Sequence, residues 1–165
     1  MTSIPADYIT RAETWLLITT LIYFLMNGAQ IYETVVIIPK WTSAPPESLQ
    51  IFRGKYAPDL KSFWIGIHSI HEITFILAIV FCWRLNLTRD WLLVLFAVHF
   101  CVRAWTIVYF APNIIEFQQI ANTNQSSADL ITRTALCRRL NYFRVGVFVV
   151  ISFALVLLSF RLLHI

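Results

Sequence analysis

Residues 63–83, FWIGIHSIHEITFILAIVFCW, are almost wholly apolar yet carry His68, His71 and Glu72. Three to four residues separate neighbours on one helical face, so both histidines share a face and Glu72 adjoins it. An imidazole titrates near neutrality, and one supported by a carboxylate can serve as a general base. Comparable groups sit in the other apolar stretches: Asn27, Gln30 and Glu33; His99 and Arg103; Asn141 and Arg144. Together they could abstract a proton from an activated phenol or α-carbonyl carbon. In that scheme His68, His71 and Glu72 are the catalytic candidates, and the guanidiniums of Arg103 and Arg144 stabilise a developing enolate or phenolate. Asn27, Gln30, Glu33, Trp64, His99, Arg103, Asn141 and Arg144 are the expected ligand-binding residues.

The elements that position these groups follow from composition. Of 165 residues 58% are hydrophobic and only 13% charged, with mean hydropathy +0.68, more apolar surface than a soluble domain of this size can cover. Spanning a hydrocarbon core takes roughly 20 helical residues. Residues 15–38, 62–83, 91–111 and 141–163 qualify, which predicts an all-α integral membrane four-helix bundle in a single domain 1–165. The first span is too long for a cleaved signal and carries polar residues late in its length. Cys82, Cys101 and Cys137 lack metal or redox spacing and read as packing residues. The net charge of +4 is spread over the connections, with no basic run of the kind that binds nucleic acid.

The expected connections are a long first loop (39–61), a tight turn (84–90) and a long third loop (112–140). Ser43, the following prolines and Glu47 predict a short helix in the first loop, and a helix restarts at Pro58. Ser126 or Ser127 is the expected cap of a last helix that begins well outside the hydrocarbon, so the third loop, like the first, is expected to hold a short helical segment. The long loops hold more Lys and Arg than the opposite side, which puts them in the cytoplasm and both termini outside.

Each span carries one polar stripe: Thr20, Tyr23, Asn27, Gln30 and Thr34 on the first; Lys61, Trp64, His68, His71 and Glu72 on the second. His99, Arg103 and Thr106 line the third, and Thr134, Cys137, Asn141 and Arg144 the fourth. Such stripes face a bundle interior, so Glu33, His68, Glu72, Arg103 and Arg144 are expected around one cavity walled by Trp64, Phe75, Phe96, Trp105 and Phe148. The plainer alternatives are a structural histidine at His71, interhelical hydrogen bonds from Asn27, Gln30 and Asn141, and snorkelling by Lys61 and Arg138. For a metal, His68, Glu72, His99 and Glu33 are the available ligands. The His-x-x-His-Glu order occurs once, unlike the paired motifs of di-iron bundles, and two arginines aimed into the same volume would repel a cation. Bis-histidine haem meets the same crowding. The expectation is therefore no metal and no cofactor, with a lipophilic aromatic or quinone-like molecule as the ligand. Membrane lipid is the surrounding partner, nucleic acid is excluded, and a homo-oligomer is allowed.

The first span's end and loop, NGAQIYETVVIIPKWTSAPPESLQIFRGKY, together with NYFR at the head of the last span, resemble the anthrone oxygenase-like (DUF1772) family of small four-span membrane proteins. That resemblance implies a four-span fold and, for some members, oxygenation of anthrones without an evident cofactor. The histidine-rich second span is richer than the family pattern. KSFWIGIHSIHEITFILAIVFCW with its basic turn is also somewhat similar to the sterol-isomerase and sigma-2 receptor-like group, where Glu72 would be the acid of a lipophilic pocket. The sequence thus supports an oxygenase or proton-transfer enzyme in the cell inner membrane. The alternatives are a sterol-isomerase-like enzyme, a His/Glu metal-dependent membrane enzyme, and a non-catalytic ligand-binding protein or complex subunit.

Overall fold

A computed structural model describes residues 4–123 and 129–164. The chain is an all-α bundle, without strand among the described residues. Four helices are long and apolar enough to cross a membrane: α1 (Ala6–Trp41), α2 (Leu60–Phe81), α3 (Asn86–Thr123) and α4 (Leu130–Leu162). By length and composition this is an integral membrane protein. At 1.5 Å per residue α1, α3 and α4 run roughly 50–57 Å, well beyond a hydrocarbon core of about 30 Å. Their ends therefore extend past the spans.

Two of these lengths correct the sequence reading, which stops the first span before Pro39 and the third at Pro112. Proline inside an α-helix lacks the N–H of its own turn and collides with the carbonyl four residues back. The chain avoids this with two π-helical turns, Glu33–Ile37 and Thr106–Phe110, each ending two residues before the proline. The N–H groups of Ile38 and Ala111 close these turns on the carbonyls of Glu33 and Thr106. The widened turn moves the offending carbonyl aside, and the helix continues through the proline. Most of the expected loop 112–140 is consequently helix, up to Thr123 and again from Leu130. The cap expected at Ser126 or Ser127 lies outside the described residues.

The first long connection contains a short 3₁₀ turn, Glu47–Phe52, where the sequence predicts a short helix. Ser43 does not cap it: its hydroxyl donates back to the Lys40 carbonyl at 2.8 Å. Gly54, at φ +83°, then takes a left-handed turn that a side chain would disfavour. The tight turn between α2 and α3 is shorter than expected. The Arg84 N–H donates to the Tyr8 hydroxyl at 2.9 Å, and Arg89 reaches the Trp83 carbonyl at 3.3 Å.

The chain divides into two compact units. Unit 1 (residues 1–28, 61–100 and 148–165) contains α2 and segments of the other three helices. Its helices are joined by small polar groups: the Thr19 hydroxyl donates to the Thr74 carbonyl at 2.7 Å, and the Asn27 amide to the Ser152 hydroxyl at 3.0 Å. Trp15 stacks on Phe81 with ring centroids 5.5 Å apart. Unit 2 (residues 29–60 and 101–147) has its own apolar core of Ile38, Trp41, Leu49, Phe110, Phe117, Ala121, Leu130 and Cys137. There Arg133 makes a two-pronged ion pair with Glu116, its two terminal nitrogens 2.6 and 2.5 Å from the carboxylate oxygens, and lies over the Phe117 ring.

Candidate functional site

The polar stripe expected on α1 is buried throughout: Thr20, Tyr23, Asn27, Gln30 and Thr34 are all shielded. So are His68 and His71 on α2, His99 on α3, and Thr134, Cys137 and Asn141 on α4. Trp64, Glu72, Glu33, Arg103 and Arg144 are half-buried, while Lys61 is exposed, as a snorkelling lysine would be. The residues expected around one cavity divide between the two units. Asn27, Trp64, His68, His71, Glu72 and His99 belong to unit 1; Gln30, Glu33, Arg103, Asn141 and Arg144 belong to unit 2.

In unit 1 the three histidines converge. One ring nitrogen of each lies within 4.8 Å of those of the other two. The imidazoles of His71 and His99 have centroids 4.4 Å apart, and His68 stands 6.4 Å from both. His68 and His71 are three residues apart on α2, a spacing that superposes them on one face, and α3 presents His99 to that face. The surroundings are aromatic. Phe148 packs on His99 at 5.2 Å, Phe75 on His71 at 5.8 Å and Trp64 on His68 at 5.5 Å. Tyr23 of α1 is the polar member of this shell. Its hydroxyl is 3.1 Å from His99 Nδ1, and its ring meets His71 edge-on at 4.6 Å. Sequence reasoning put Tyr23 on the polar stripe but gave it no role; its place one helical turn before Asn27 was the available signal.

Unit 2 holds a different polar centre. Arg144 donates to Asn141 Oδ1 at 2.5 Å and to the Thr106 hydroxyl at 3.3 Å, and its guanidinium lies 4.5 Å from the Phe110 ring centroid. Asn141 in turn donates to the Thr34 hydroxyl at 2.8 Å. Both π-helical turns thus contribute a hydroxyl to this network, Thr34 from one and Thr106 from the other. Glu33 and Arg103 belong to the same unit. Arg144 Nε and Gln30 Oε1 are buried without a hydrogen-bond partner among the described residues. Trp105, expected in the wall of the histidine cavity, packs within unit 2 against Tyr109, Phe110 and Phe143.

No protein-family model matches the chain, and no curated protein or solved structure matches it either. The functional reading therefore rests on the geometry of the two centres.

Proposed function

We propose that this is a membrane enzyme acting on a lipophilic, aromatic or quinone-like molecule, with the His68–His71–His99 cluster as its reactive centre. One observation carries the reading: three imidazoles meet inside an apolar helical unit, with a tyrosine hydroxyl on one of them. Helix association does not require this. The same unit already joins its helices through Thr19, Asn27 and Ser152, and small polar contacts of that kind suffice in membranes. Clustering three titratable rings adds desolvation cost without adding glue, and ionisable groups inside membrane spans ordinarily mark sites of function. A lipophilic substrate is inferred from the aromatic shell of Trp64, Phe75 and Phe148 around the imidazoles. The reaction class is proton transfer or oxygenation at an activated ring, which is also what the anthrone oxygenase-like resemblance implies. Glu72, one helical turn after His68 on α2, is the acid we assign to support it. We place the protein in the cell inner membrane with the long connections in the cytoplasm, on their excess of basic residues.

The test is turnover of anthrones and quinols by the purified protein in lipid nanodiscs, with mass spectrometry of what co-purifies. His71→Gln should keep the bound molecule and lose at least about 100-fold in rate, the usual worth of a positioned proton-transfer group. Equal turnover by His71→Gln and the parent protein would overturn the reading.

A second reading is favoured by Arg144. A buried guanidinium with an unanswered Nε–H suits an anionic group, so unit 2 would serve a non-catalytic ligand-binding protein. Saturable binding of a carboxylate-bearing lipophile, weakened by Arg144→Gln and unaffected by His71→Gln, would favour it.

A further inference from the structure

We propose that His68, His71 and His99 bind one divalent transition-metal ion of borderline hardness, of which zinc is the type, and that Tyr23 orients His99 for it. The use made of the metal rests on the reading of this cluster as the reactive centre; the binding itself does not.

The spacing of the ring nitrogens suits an ion. Zinc–nitrogen bonds of about 2.0–2.1 Å in a tetrahedron put ligand nitrogens about 3.3 Å apart. The three nitrogens here already lie within 4.8 Å of one another, so small side-chain rotations close the set around an ion. No larger void is needed, which matters because Tyr23, Phe75 and Phe148 pack against the rings at contact distance.

Ligand chemistry narrows the ion. Neutral imidazoles suit zinc, copper, nickel, cobalt and iron, and are poor ligands for magnesium and calcium. Position on the elements gives preorganisation: α2 supplies two ligands from one rigid face and α3 the third. The hydrogen bond to Tyr23 supplies the outer support that metal-bound histidines usually have. With His99 Nε2 on the metal, Nδ1 carries the proton and donates it to the Tyr23 hydroxyl oxygen, which fixes the tautomer and aims the ring.

Among the described residues no fourth histidine, cysteine or carboxylate joins this group. Three protein ligands leave one position for water or a substrate oxygen, the pattern of catalytic rather than structural zinc sites. The expectation of no metal rests on Arg103 and Arg144 repelling a cation; Arg144 gives its terminal nitrogens to Asn141 Oδ1 and the Thr106 hydroxyl.

The experiment uses the full chain, purified in detergent, stripped with chelator and titrated with Co²⁺, then with Zn²⁺ in competition. Saturation at one ion per chain is expected, with a tetrahedral cobalt spectrum that zinc abolishes. His68→Gln, His71→Gln and His99→Gln should each lower affinity at least about 100-fold, and Tyr23→Phe about 10–100-fold, the usual range for losing an outer-shell partner. Glu116→Gln in unit 2 should bind as the parent does. X-ray absorption on the parent protein gives a readout that needs no variant, and imidazole scattering around the bound ion is the expected result. Absence of saturable uptake, uptake unchanged in His99→Gln, or oxygen-only neighbours would overturn the site. The enzyme reading fails separately: turnover that survives exhaustive chelation removes the metal and keeps the enzyme, whereas a loaded metal with no turnover keeps the site and removes the enzyme.

Discussion

Tyr23 and Asn141 illustrate how much a single side chain governs in an apolar interior. Asn141 accepts from Arg144 and donates to Thr34, so one amide satisfies partners on two helices. Replacing it by Leu strands a charged donor, and a buried unsatisfied group costs about 1–3 kcal/mol. Asn141→Leu should therefore lower the thermal midpoint in detergent, while Asn141→Asp, which still accepts from the guanidinium and adds opposite charge, should recover most of the loss. The Arg133–Glu116 pair gives the opposite case. It is bidentate but partly exposed, with 29% and 46% of the two side chains accessible, so water and salt weaken it. Glu116→Gln should cost under about 1 kcal/mol, less still at high ionic strength.

The helices carry a lesson that residues alone do not. Each π-helical turn accommodates one extra residue, and each precedes a proline that the helix then runs through. Deleting Val108 should remove the extra residue, leave a plain α-helical turn in its place and bring a carbonyl against Pro112. The expected outcome is a chain that still inserts but loses protease resistance in unit 2, read by limited proteolysis. These turns mark where the sequence stopped being legible. The 3–4 spacing of Thr20, Tyr23, Asn27, Gln30 and Thr34 revealed the buried face of α1 because helical periodicity is local. The ends of α1 and α3 were hidden because proline normally terminates a helix, and the i→i+5 bond that rescues it has no sequence signature. The spacing of His68 and His71 could be read in advance; the alignment of His99 with them depends on the packing of α2 against α3, which no single stretch encodes.

For the whole molecule, α2 is long and apolar enough to cross a membrane, which predicts the connection at Gly54 and the turn at Arg84 on opposite faces. A cysteine-free chain carrying a single cysteine at Gly54 or at Arg84 tests this. A membrane-impermeant maleimide applied to one side should label one variant and not the other, and the assignment should reverse in inverted vesicles. Labelling of both from one side would remove a span.

The unit 2 core joins Trp41 and Leu49 from the first third of the chain to Leu130 and Cys137 on α4. During synthesis the early members emerge long before the late ones. Until α4 arrives, Trp41 has Phe52 and Phe117 to pack on, but the part of this core that Leu130 and Cys137 complete stays open, a surface that chaperones and membrane proteases read as unfinished. A nascent chain halted before residue 130 should thus be degraded quickly even with three helices already inserted, and release of the last helix becomes the step at which the cell accepts the protein.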